Sequence, residues 1–277
     1  MQRILVPTDF SEFANQASDV AIRVAVKADA ELHFLHMMGV PVDWIGVELS
    51  EEKLYSGVSQ NVKNANYELD HWVEKAEKAG AKAKKFLQYQ VGYKYILEYV
   101  NNLSIDLVVM GSHGIGGWGD FLVGSITQKM ARLCDIPLLV INSPKENFNA
   151  KNIVFATDLN PDRKTFNEVL SNFASLFDAK IHGLFVNTPY VFVDTPTCQS
   201  RQEEFCARNP SLFESFTTYN FRTEEEGILQ FAKTVKADVI VLITEGKRGL
   251  AKAFDKSVTE TVIRYSKIPV LSLNAHT

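Results

Sequence analysis

Short apolar runs alternate along the chain with longer segments whose apolar residues recur every three or four positions. In the first half, Ile4–Val6, Glu31–His36, Lys85–Gln90, Leu107–Met110 and Leu138–Ile141 read as five strands. The last of these is apolar at every position, as a strand covered on both faces requires. Between the second and third runs, Leu54, Val58, Val62, Ala65, Leu69, Trp72 and Ala76 lie on one helical face, with Gly80 as a stop. That stripe reads as core packing beneath a solvated charged face. Strands alternating with helices predict parallel sheets joined by crossover helices.

The pattern occurs twice. Thr8-Asp9 after the first run recurs as Thr157-Asp158, and His33 recurs as His182, both at an offset of 149. Further along, Ile105-Asp106 matches Ala237-Asp238 and Ile136-Pro137 matches Ile268-Pro269, now at an offset of 132, so the second copy is 17 residues shorter in its middle. Thr223 to Glu226 forms a capping-box pattern ahead of Ile228 and Leu229. Asn142 to Ala150 is polar and contains Pro144, which places a boundary there. Two domains are expected, 1–143 and 150–277, each an α/β unit with an open parallel five-stranded sheet and helices on both faces.

Composition narrows the function classes. The 277 residues are 46% hydrophobic and 22% charged, enough for two packed cores. The net charge of -4 supplies no basic field, so neither nucleic acid nor an anionic membrane surface is expected as a partner. No apolar run approaches a bilayer span, and the first residues do not resemble a secretory leader, so a cytoplasmic protein is expected. Cys134, Cys198 and Cys206 are odd in number and form no Cys-x-x-Cys pair, which suits a reducing compartment and no thiolate metal site.

Chemistry concentrates after the fourth strand, where Gly111, Gly114, Gly116, Gly117, Gly119 and Gly124 crowd one loop. Glycines let backbone N–H groups approach phosphate oxygens, and a helix starting at Gly124-Ser125 adds a favourable dipole, with Ser125 and Thr127 offering hydroxyls. No Gly-Lys-Ser/Thr P-loop occurs. Gly114, Gly116 and Gly119 fit the dinucleotide pattern, but after the fourth strand rather than the first. A turn in which Trp118 and Phe121 cover the core would need no ligand. Against that stands position, because ligands of open parallel sheets bind beyond the carboxyl ends of strands, where both Asp9 and this loop fall.

Gly111-x-x-Gly114, nine residues and Gly124-Ser125 resemble the nucleotide motif of ATP-binding universal stress proteins. Val6 to Ser11 is similar to the first strand and turn of that family, and residues 105–114 and 136–140 are similar to its flanks. The resemblance implies a Rossmann-like fold of the adenine nucleotide alpha hydrolase type. It implies an adenine pocket at Pro7, Thr8, Asp9 and Met37, and phosphates at Gly111, Gly114, Gly124 and Ser125. Met110, His113, Ile126 and Thr127 complete the expected ATP contacts, with Mg²⁺ or Mn²⁺ held through the phosphates. Ile115 stands where the family often has a basic residue. In the second copy Ile243, Gly246, Lys256 and Ser257 replace Gly111, Gly114, Gly124 and Ser125, so one ATP site is expected, in the first copy. Lys247, Arg248, Lys252 and Lys256 remain as anion-attracting or merely solvated charges. The resemblance further implies a fused pseudo-dimer in which Leu138–Ile141 meets Val270–Leu273, and leaves a homodimer of the whole chain open.

No dedicated catalysis is expected. Ser112 and His113 are adjacent in a turn, where side chains generally diverge. His33 and His36 lie on opposite faces of a strand, which is wrong for ligands of one metal. Asp9 and Asp158 are read as turn or helix caps, with a nucleotide-orienting role equally open for Asp9. The resemblance points to a regulatory stress-response module with slow ATP hydrolysis at most. The alternatives are an ATPase or phosphotransferase, and a nucleotide-independent interaction protein using residues 42–66 and 188–215. Within the latter segment Tyr190, Phe192, Phe205 and Phe213 either pack or line a lipid or small-molecule pocket.

Overall fold

A computed structural model of the chain describes residues 1–41, 56–113, 124–143, 148–160, 166–244 and 258–274. The first half runs β1 (Arg3–Thr8), α1 (Glu12–Ala28), β2 (Glu31–Met37), α2 (Ser56–Lys78), β3 (Ala83–Gln88), α3 (Tyr93–Asn102), β4 (Leu107–Gly111), α4 (Ser125–Leu133) and β5 (Leu138–Ile141). The second half runs β6 (Asn152–Ala156), α5 (Phe166–Phe177), β7 (Lys180–Asn187), a 3-10 turn (Pro189–Val191), α6 (Thr195–Arg208), β8 (Ser215–Asn220), α7 (Glu224–Thr234), β9 (Val239–Thr244), α8 (Val258–Tyr265) and β10 (Val270–Asn274).

The strand order is β3-β2-β1-β4-β5-β10-β9-β6-β7-β8. Each half therefore contributes an open parallel five-stranded sheet of the same order, as the repeat predicts. The halves join through an antiparallel pairing of β5 with β10, where Val140 opposes Val270, Leu139 opposes Leu271 and Leu138 opposes Ser272. Together the described strands make one ten-stranded sheet.

Side-chain alternation sorts the two faces. Ile4 and Val6 bury into one apolar layer with Val20 and Val24 of α1, Trp72 of α2, Phe173 of α5 and Phe205 of α6. Leu5 points the other way, into a layer holding Ile96 of α3, Met130 of α4, Phe231 of α7 and Val262 of α8. A strand with helices on both faces has no solvated side, which is why β5 is apolar throughout and fully buried.

Local chemistry fixes the element ends. Ser11 caps α1 by accepting from the Ala14 amide, and Asp29 closes that helix in the left-handed conformation at φ 49°. Thr223 caps α7 by accepting from the Glu226 amide, the forward half of the expected capping box. Asp106 accepts hydrogen bonds from the Gln2 and Arg3 amides, and its repeat partner Asp238 accepts from Lys151 and Asn152 at 2.9 Å each. The third strand starts and ends two residues before the expected span. It is a sheet edge bearing Lys84 and Lys85, so its apolar signal is weak.

The junction repeats under a pseudo-twofold relation. Asn142 donates its side-chain amide to the Ile268 carbonyl, and Asn274 donates to the Cys134 carbonyl and the Asp135 carboxylate. Arg132 of α4 pairs with Glu260 of α8 at 2.7 Å. The pairing of the two fifth strands expected from the resemblance is thus present within the chain.

Candidate functional site

In the order β3-β2-β1-β4-β5, connections turn in opposite directions on either side of the β1/β4 boundary, and a crevice opens beyond the strand ends there. Pro7 and Thr8 are the last residues of β1, and both are buried. Phe10 follows at φ 61°, a tight turn held by two local bonds. The Thr8 hydroxyl accepts from the Phe10 amide at 3.1 Å, and the Asp9 carboxylate accepts from the Ser11 amide at 3.0 Å. The second half builds the same turn with Thr157, Asp158 and Leu159. Capping the turn is therefore a shown role of both aspartates.

Met37 ends β2, and Met110 and Gly111 end β4. Gly111 is demanded by packing before any ligand is considered. A Cβ there would lie 2.7 Å from the Phe13 carbonyl carbon and 2.8 Å from its oxygen, so the first turn of α1 can cross β4 only above a glycine. Its counterpart Ile243 instead packs a branched, partly buried side chain against the apolar layer on the α1 and α5 face.

The glycine-rich loop is closed at its base. The Gly124 amide donates to the Ser112 carbonyl at 2.9 Å, and the Ser112 amide donates to the Ile141 carbonyl at 3.0 Å. Gly124 is the N-cap of α4, so Ser125, Ile126 and Thr127 form the first turn, whose leading amides have no carbonyl partner within the helix. Thr127 is buried, and its hydroxyl donates to the Gly111 carbonyl at 3.0 Å. It ties α4 to the end of β4, which leaves exposed Ser125 as the hydroxyl presented to solvent. Gly114, Ile115, Trp118 and Phe121 lie outside the described residues, as do Gly246, Lys247, Arg248, Lys252, Lys256 and Ser257 of the second copy.

Ser112 and His113 do not diverge. The Ser112 Oγ and His113 Nδ1 are 2.7 Å apart, and the imidazole packs on the Phe13 ring at 4.8 Å. Ser112 is wholly buried, however, so its hydroxyl is closed to an incoming substrate.

His36 belongs to the site, and sequence reasoning set it aside as a core or surface histidine. Its Nδ1 bonds the Thr8 carbonyl at 2.8 Å, and its ring stacks on Phe10 at 4.3 Å. Burial pushes its pKa down, against the opposing pull of the Thr8 carbonyl and the Asp9 charge. The ring is therefore neutral at neutral pH, donating from Nδ1 to the carbonyl. The signal available in the sequence was its place one residue before Met37; its register with Thr8 comes from the pairing of β1 with β2. His33 lies on the other face against Phe86, as its position on the strand requires.

The segment after β7 splits in two. Phe205 and Phe213 are packed, within an aromatic cluster that also holds Phe155, Phe166 and Phe216. Tyr190 and Phe192 are instead 89% and 73% exposed, with Val191 exposed between them.

Comparison with known proteins follows the repeat. The profile of the universal stress protein family matches residues 1–142 and again residues 149–273. The chain belongs to the universal stress protein family. Among its relatives, universal stress protein Slr1230 of Synechocystis is 24% identical over 297 residues, covering 98% of this chain and 99% of that protein. Universal stress protein MJ0531 of Methanocaldococcus jannaschii is 30% identical over 146 residues, covering 52% of this chain and 84% of that one. A universal stress protein structure from Archaeoglobus fulgidus superposes with a TM-score of 0.72 at 19% identity, over 98% of this chain and 96% of the other. The tandem arrangement is thus shared along the full length. Among the described residues, no helix is long and apolar enough to cross a membrane.

Proposed function

We propose that this universal stress protein binds one ATP, in its first half, as a regulatory module of the stress response. The observation that carries the reading is the closure of the glycine loop by the Ser112–Gly124 bond. That bond sets the start of α4, whose leading amides have no partner within the helix, and exposed Ser125 beside the ends of β1 and β4. Phosphates would sit on those amides together with Gly111 and Gly114, and Mg²⁺ or Mn²⁺ would be carried on the phosphates. The adenine would lie against Pro7, Thr8, Asp9 and Met37, with neutral His36 fixing the Thr8 carbonyl beneath it. Met110, His113, Ile126 and Thr127 would shape and brace the site. In the second half Ile243 removes the close backbone approach that phosphates need.

Isothermal titration with MgATP is expected to give a stoichiometry near one per chain. Gly124→Ala is expected to weaken binding by roughly ten-fold or more, since a methyl at the helix start intrudes where a phosphate oxygen would lie. Two equivalent sites, or no heat of binding, would sink the reading.

A second reading, contact with a protein partner without nucleotide, is favoured by exposed Tyr190, Val191 and Phe192, because clustered exposed aromatics mark interaction surfaces. Capture of partners from a stressed-cell lysate would separate the two readings. Loss of capture in Tyr190→Ser/Phe192→Ser with full capture in Gly124→Ala supports the second, and the reverse pattern supports the first.

A further inference from the structure

β8 is the outermost strand of the second half, and among the described residues no strand pairs with its far side. Residues 166–244 are described without a break, so the elements around this edge, β7, α6 and α7, are all placed. The Asn187 carbonyl accepts from the Phe221 amide at 3.1 Å, which sets the alternation of the parallel ladder. Thr217 and Tyr219 therefore turn their backbone groups toward β7, and Phe216, Thr218 and Asn220 turn theirs outward. Gln202 of α6 accordingly reaches the Phe216 carbonyl at 3.3 Å from outside the ladder. That oxygen has a second lone pair, so it can still accept from an added strand.

The two outer edges of the sheet differ in chemistry. β3 carries Lys84 and Lys85, with Lys82 just before it, and charges of this kind repel an added strand. β8 reads Ser-Phe-Thr-Thr-Tyr-Asn, with neither charge nor proline and rich in strand formers. Two copies of β3 would bring the lysines of both to one seam; two copies of β8 bring none within the strand.

Self-pairing about a twofold axis runs the two strands antiparallel and sets outward residues against outward residues. The register centred on Thr218 places Thr218 against itself, Phe216 against Asn220 and Thr217 against Tyr219. Just beyond the strand it places exposed Glu214 against exposed Arg222, once at each end of the seam. Aromatic pairs with β-branched residues and pairs of opposite charge both favour such a register. The chain already shows that the flanking helices fit around a seam of this kind. Across the antiparallel pairing of β5 with β10, α1 packs on α5 and α4 on α8.

We infer that two copies of this chain join through β8, antiparallel about a twofold at Thr218, so that two ten-stranded sheets continue into one. No residue of the candidate nucleotide site enters this seam.

Sedimentation velocity on the full chain across the micromolar range is expected to show a dimer, with or without MgATP. Thr218→Pro removes an outward amide that the pairing with β7 does not use, and Thr218→Lys sets two ammonium groups against each other at the twofold. Each is expected to keep the far-UV circular dichroism of the parent and to weaken the dimer by roughly ten-fold or more. Arg222→Glu, which opposes like charges at both ends, is expected to weaken it by roughly five-fold, and Glu214→Arg/Arg222→Glu to restore it. A monomer throughout, a dimer indifferent to both changes at Thr218, or no recovery in the charge-swapped double variant would each overturn the inference.

Discussion

Gly183 of β7 faces Phe216 of β8 across the sheet, whereas at the matching register of the first half Phe34 of β2 faces Lys85 of β3. One aromatic ring occupies this cross-strand pair in each half, but it has moved one strand outward in the second. A Cβ on Gly183 would sit 2.2 Å from the Phe216 ring, so the glycine is the space into which the ring folds. In the first half Phe34 takes that space itself and packs on Trp72, and Lys85 reaches Asp70 at 2.7 Å. The two positions are therefore coupled. Gly183→Ala is expected to destabilise the chain by about 1–3 kcal/mol, the usual range for overpacking. In a Phe216→Ala background the same change should be neutral, or stabilise by about 0.5–1 kcal/mol, as alanine does over glycine within a strand. Denaturant melts of the four variants give the coupling energy, and simple additivity would refute the swap.

Elements were legible where their signal is carried by their own residues. The stripe from Leu54 to Ala76 foretold α2, observed over Ser56–Lys78, because burial of one helical face imposes its period on the sequence. The unbroken apolar run of β5 foretold a strand covered on both faces. The edge strand β3 slipped by two residues because a half-solvated edge imposes little pattern. Less of the site could be read. Its placement at strand ends followed from topology, and the glycine loop from composition. The need for Gly111 comes from the backbone of Phe13, nearly a hundred residues earlier, and no periodicity records such a crossing. The Thr127–Gly111 tie, the Ser112–His113 contact and the entry of His36 into the site likewise depend on how separate elements meet. A hydroxyl that reads as a phosphate ligand from its position after Gly124 turns out to hold the helix to its strand.

At the scale of the molecule, the junction of the two halves rests on sheet continuity more than on the connecting peptide. Leu138 to Ile141 are at most 1% exposed, and Val270, Leu271 and Leu273 are equally buried. Separating β5 from β10 would expose this apolar surface, with about 1.5–3 kcal/mol at stake for each large side chain, and would leave two unpaired strand edges. Asn142 and Asn274 add side-chain bonds in both directions across the junction, and Ser143 donates its hydroxyl to the Lys267 carbonyl at 2.7 Å. The covalent link between the halves is then dispensable once the sheet has formed. A protease site placed within residues 144–147 and cut after folding is expected to yield two fragments that elute together from a sizing column at the position of the intact chain. They should separate only at denaturant concentrations that also melt secondary structure. Fragments that part under native conditions would show that the peptide link, rather than the β5–β10 pairing, holds the pseudo-dimer together.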